Sequence, residues 1–323
     1  MVMRMKKNIR CIYTYTLFTN MLFVLPVLMP FYNHIGLSFR DFLIGEAVFA
    51  AVVFAAEVPS GWISDMWSRR TTLMLGALVG MAGYTTLMFS HDLFTASLAQ
   101  GIIGIAVALN SGTNTAILYD GLLEEGRTDE YRRLDSTRQS CCLYGVAISA
   151  TMGGFLFKID PQLPLLFDIL TTFAAMVTIW RVREPVRHTR SVEKHLFRDM
   201  WETMKYAIHG HADVGGIIIV SAILMTSTKL MFWLQQPYYA GVGIAPEWYG
   251  VILPGSYIVG GFLSQMGHHL DKHGSARGFL IFMSVCLVLS CVVLAVFPSA
   301  WLAVPLFLVG TLTWGMGQPR IND

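Results

Sequence analysis

Charge is scarce in this chain: Lys and Arg number 23 and Asp and Glu 21 among 323 residues, 14% in all. So small a charged complement excludes an ordinary soluble domain and a disordered segment alike. The formal net charge is only +2, and no basic block is interleaved with aromatics, which argues against nucleic acid as a partner. Cysteine is also sparse. Cys11, Cys141, Cys142, Cys286 and Cys291 lack the spacing of a metal centre or a secreted disulfide framework and read as small packing residues. His268, His269, Asp271 and His273 cluster in "HHLDKH", but no second ligand set accompanies them and no metal is expected. No phosphate loop of the form G-x-x-x-x-G-K-[ST] occurs, which removes ATP hydrolysis as an energy source. A nucleophile with its base is missing too, so a polytopic membrane enzyme is the weaker alternative and no cofactor is called for.

Apolar residues are abundant: 54% of the chain is hydrophobic and the mean hydropathy is +0.54. They gather into ten runs long enough to cross a bilayer, which takes about 20 residues each. Their centres lie near Met21, Val52, Ala82, Ile105, Ala150, Thr172, Leu224, Ile258, Cys286 and Leu306. The fold class is therefore all-α, a polytopic membrane helical bundle. The first run, about Ile12 to Phe31, ends in no small-residue cleavage site and reads as an uncleaved span. With the N-terminus inside, all but three of the 23 Lys and Arg fall on the inner side; Arg40 and Lys158 lie in outer turns and Lys229 within span seven. That bias predicts a cytoplasmic N-terminus in a multi-pass cell-membrane protein, with a bacterial inner membrane expected. Six spans, residues 1–180, precede a cytoplasmic linker, 181–213, and four follow it in 214–323. Within the linker, Phe197, Met200, Trp201, Met204 and Ile208 share one face of an amphipathic helix predicted to lie on the membrane surface.

The turn between spans two and three, "EVPSGWISDMWSRRTT", holds Gly61, Asp65, Arg69 and Arg70. Gly61 permits a close backbone approach, and Asp65 is suited to the amides of a helix N-terminus. The two arginines have Asp65, or Asp120 at the inner end of span four, as ion-pair partners, a cluster that conformational change would break and remake. After span eight, "GHHLDKHG" repeats the spacing, Gly267 matching Gly61 and Asp271 matching Asp65, so two pseudo-symmetric halves are indicated, six helices plus an incomplete four.

Gly61, Asp65, Arg69, Arg70 and the following Leu73 resemble the loop G-x-x-x-D-R-x-G-R-R/K of the major facilitator superfamily. "AILYDGLLEEGRTDEYRRLDS", "WLQQPYY" and "GMGQPRIND" extend the likeness over nearly the whole chain. Met66 and Ser68 replace the family's usual Arg and Gly; Ser97 stands at the Arg position of R-x-x-Q-G in span four. In span five, Ser149 and Ala150 replace the Gly-Pro of the drug-antiporter signature, though Gly153 and Gly154 agree with it. The resemblance implies a secondary transporter of a small solute by alternating access, an exporter or general small-solute carrier rather than a sugar-specific one, with protons a candidate coupling ion. It implies twelve helices, so a chain truncated after span ten, unable to transport alone, is expected; a transport-inactive sensor or remnant is the alternative.

Polar groups at membrane depth are the candidate solute or ion pathway. These are Asn20 in span one, Asn110 and Asn114 in span four, Asp168 in span six, and Lys229, Trp233 and Gln236 in span seven. Glu46 reads as an interfacial charge and Glu57 as a member of the gating cluster.

Overall fold

This computed structural model describes residues 2–185, 212–252, 254–255, 276–297 and 299. Among the described residues the secondary structure is helical throughout, without a strand. The chain divides into two compact units, Met1–Arg187 with Ala245–Pro254, and His188–Ile244 with Gly255–Asp323.

In the first unit the helices are α1 (Val2–Thr19), α2 (Leu28–His34), α3 (Phe39–Met66), α4 (Arg69–Met88), α5 (Leu93–Asn110), α6 (Thr113–Glu124), α7 (Tyr131–Ile159) and α8 (Leu163–Trp180). The second unit contributes α9 (Ala212–Gly241) and α10 (Ala276–Val296). Five helical segments of the described chain are long and apolar enough to cross a membrane: Phe39–Met66, Arg69–Met88, Leu93–Glu124, Thr128–Ile159 and Leu163–Trp180. α9 and α10 cover the runs centred on Leu224 and Cys286, whereas those centred on Ile258 and Leu306, and the linker helix around Trp201, lie outside the described residues.

Polar caps start the helices where the apolar runs begin. Ser38 and Asp41 form a reciprocal capping box on α3, Ser68 accepts the Thr71 amide on α4, and Asp92 accepts the Thr95 amide on α5. The Thr95 amide holds the Asp92 carboxyl below the usual carboxylate range. Between them, α1, α4, α6 and α8 enclose a core of Ile12, Tyr15, Leu73, Leu118, Leu122 and Ile179, each no more than 1% exposed. In a bilayer such packing is favoured by close contact rather than by escape from water, because lipid is as apolar as leucine.

One expectation is corrected. The first apolar run is not one helix: α1 stops at Thr19, Asn20–Val24 is irregular, and a 3₁₀ turn at Leu25–Val27 leads into α2. Pro26 and Pro30 withhold backbone donors there, and the amides left without a helical partner need other acceptors. α7 can lie against this break because Gly153 has no side chain; a Cβ there would sit 2.0 Å from the Phe23 carbonyl oxygen. On the same helix, Lys158 Nζ reaches the Glu247 carboxylate at 2.8 Å and holds its pKa below the ordinary value.

Candidate functional site

A charged cluster forms where α3 turns into α4 through Trp67 and Ser68 alone. Arg69 is its hub. Its Nε donates to Asp120 Oδ2 of α6 at 3.0 Å, and its Nη1 lies 2.9 Å from Asp65 Oδ1 and 3.2 Å from Ser64 Oγ. Ser64 in turn accepts from Thr113 Oγ1 at 3.1 Å, so one guanidinium ties α3, α4 and α6 together. The side chains of Arg69 and Asp120 are 17% and 20% exposed, that of Asp65 60%. Water screening leaves an exposed pair worth about 0–1 kcal/mol. Arg69–Asp120 is thus the anchor, and Asp65–Arg69 the contact that parts readily.

Glu184, four residues past the end of α8, accepts the backbone amides of Arg69 and Arg70 at 2.7 and 2.8 Å. α4 has no acid in its own first turn, so this carboxylate supplies the negative charge that a helix N-terminus favours. Arg70 Nη1 donates to the Val182 carbonyl at 3.4 Å, and Asn8 exchanges two hydrogen bonds with the backbone of Arg183 at 3.1 and 3.2 Å. The segment after α8 is therefore stitched to α1 and α4. Sequence reading passed over Glu184 as part of the linker; the signal was an acid directly after a span, on the same side as an arginine-rich turn that lacks its own acid. Gly61 lies inside α3, not at a turn, and a Cβ there would meet no described atom within 4 Å. The close approach expected of it is absent from the described chain. Asp271 lies outside the described residues.

A second set of polar groups links α1 to the fourth span. That span is itself divided into α5 and α6 at Ser111–Gly112, where Gly112 takes φ +67°, a left-handed conformation that suits glycine. Tyr15 of α1 donates to Asn110 Oδ1, and Thr16 and Asn114 are joined by a hydrogen bond of 3.0 Å from Asn114 Nδ2. Asn20 donates to the Thr16 carbonyl at 2.8 Å and accepts from Cys142 Sγ at 3.0 Å. Asn20, Asn110 and Asn114 thus lie along one seam of α1, α5, α6 and α7.

Asp168 has another task. It is fully buried, and its two carboxylate oxygens accept the backbone amides of Phe23 at 2.7 Å and Val24 at 3.1 Å; Ser149 Oγ accepts that of Leu22 at 2.8 Å. These are amides freed by the interruption of α1, so Asp168 holds the break in place. Glu57 stands apart from the Arg69 cluster, its carboxylate accepting from Ser111 Oγ at 2.6 Å. In α9, Trp233 and Gln236 are buried, 8% and 3% exposed, while the Lys229 side chain lies outside the described residues.

Two interrupted spans, side chains paired at membrane depth and an ionic hub at a two-residue turn define a polytopic membrane helical bundle with polar contacts inside it. Over residues 11–323 the chain matches the family model of the Major Facilitator Superfamily, and it belongs to that family. It is a membrane transporter, not an enzyme. No curated protein matches it significantly. Among solved structures it is similar to the nucleoside transporter NupG, with 13% identity, a TM-score of 0.75 and coverage of 96% of this chain and 79% of that one. A bacterial homolog of the human lysosomal transporter Spinster, inward-facing and unoccupied, gives 14% identity, a TM-score of 0.73 and coverage of 98% and 75%. For a D-xylose–proton symporter the values are 12%, 0.70, 98% and 81%. At these identities the likeness is one of fold.

Proposed function

We propose that this protein is a secondary active transporter that moves a small solute across the cell membrane by alternating access, with its N-terminus in the cytoplasm. The observation that carries the reading is the pair of interrupted spans: α1 opens at Asn20–Val24 and the fourth span at Ser111–Gly112, with Tyr15–Asn110 and Thr16–Asn114 joining them. Irregular backbone at membrane depth persists where it is buried in protein or lines a wet cavity. In this reading the cluster of Asp65, Arg69, Arg70 and Asp120, joined by Glu184, is the gate on the cytoplasmic side, remade in each cycle. Gly61, one turn before Asp65 on α3, belongs to the same gating segment, and Asp271 is the counterpart of Asp65 in the second half. Asn20, Asn110 and Asn114 face the solute path, and Lys229, Trp233 and Gln236 are the candidate pathway groups of span seven. Protons are the proposed coupling ion, one of the relatives in fold being a proton symporter. Uptake and efflux of a solute panel, measured in vesicles holding the full-length protein under an imposed pH gradient, test this. Gradient-dependent flux of at least one solute is expected, and solute movement that ignores the gradient throughout refutes coupling.

A further inference from the structure

Three acids of the described helices lie five or more residues from both helix ends: Glu46, Glu57 and Asp168. Asp168 is sealed and occupied by backbone amides. Glu46 accepts from Gln100 Nε2 at 2.7 Å in a part-buried pair toward the Phe39 end of α3. Glu57 alone is exposed, about 7 Å from the midpoint of α3 at 1.5 Å per residue. Its hydrogen bond comes from the neutral hydroxyl of Ser111, and among the described residues no Lys, Arg or His pairs with it. α5, the helix packed beside it, is free of charged residues throughout; of the arginines of α4, Arg69 pairs with Asp65 and Asp120, and the Arg70 guanidinium donates to the Val182 carbonyl.

An ionised carboxylate at membrane depth is costly unless a positive charge meets it, and such residues face protein or water and mark ligand or ion pathways. The surroundings narrow the ligand. Among the described residues no cluster of His, Cys, Asp or Glu offers the several hard donors a divalent metal takes. One turn from Glu57 on the same side of α3, Phe54 is 86% exposed and presents an aromatic ring, the group that attracts organic cations. One turn the other way Gly61 leaves open space, so Phe54 to Gly61 offers a strip about 10 Å long. Ser111 adds hydroxyl lone pairs, at the break of the fourth span.

We propose that Glu57, Ser111 and Phe54 form a binding site for the positive charge of an organic ammonium solute. This rests on the transport reading and names its substrate class. The carboxylate neutralises the cation, the ring covers its apolar substituents, and Ser111, next in the chain to Asn110, ties the carboxylate to the break of the fourth span. Binding of radiolabelled tetraethylammonium to purified full-length protein in detergent tests the site without requiring flux. Saturable binding is expected. Glu57→Gln should weaken it at least tenfold, Glu57→Asp less, and Phe54→Leu about two- to fivefold, the range of an exposed cation–π contact. Glu46→Gln, with an equal loss of charge, should bind like wild type. Absence of saturable binding by monodisperse wild-type protein overturns the site, as does equal loss in Glu46→Gln and Glu57→Gln. Gradient-driven flux of other solutes beside absent cation binding leaves transport standing and removes only the site; cation binding with no flux of any solute does the reverse.

Discussion

At the scale of single residues, carboxylates do different work because their partners and burial differ. Asp168 binds backbone and Asp65 binds a side chain from the same turn. Replacing Asp168 with Ala orphans the buried amides of Phe23 and Val24, at about 1–3 kcal/mol for each unsatisfied donor. Thermal unfolding in detergent should shift down by several degrees, with Asp168→Asn milder because its carbonyl still accepts. An unchanged midpoint in Asp168→Ala would mean that the break in α1 needs no clamp. Asp65→Asn should behave oppositely: its side chain is 60% exposed, so stability moves by no more than about 0.5 kcal/mol, while transport falls sharply because the readily parted half of the hub is gone. Expression and flux measured on one preparation separate the two effects, and wild-type turnover would make Asp65 an ordinary exposed acid at a helix end.

Elements meet where backbones approach more closely than side chains allow. α7 touches the last turn of α1 and the break that follows it through Gly145 and Gly153, where a Cβ would lie 2.5 Å from the Leu17 carbonyl oxygen and 2.0 Å from that of Phe23. Because these neighbours are backbone, no rotamer change relieves the clash. Gly153→Ala should therefore push α7 off the break, loosening the Ser149 and Asp168 hydrogen bonds with it. The expected outcome is a loss of monodisperse protein on gel filtration far exceeding that of Thr151→Ala, a change on the same helix at a site whose hydroxyl bonds only its own helix at Ala147. Normal yield and melting of Gly153→Ala would show that α1 and α7 are less tightly joined. The division of the fourth span has a comparable cause, since Gly112 permits the left-handed step between α5 and α6.

For the whole molecule, the arginine bias predicts which side of the membrane each turn occupies. A cysteine introduced at Lys194 should resist a membrane-impermeant reagent in intact cells and react once the membrane is opened; labelling from outside would invert the topology. The sequence alone determined that the chain is a membrane helical bundle, because transfer of an apolar run into lipid is a local sum over about 20 residues. It also marked the Asp65–Arg69–Arg70 turn, whose members are neighbours in the chain. The span centred on Met21 looked continuous because hydropathy does not register which amides lack acceptors. Only the tertiary structure decided that Asp168 holds α1 open, that Glu184 caps α4, and that Glu57 turns to Ser111 and away from the arginines. In each case the partners lie from 54 to 145 residues apart, and hydrogen bonding at such separations is fixed by which helices pack together, a property no local window contains.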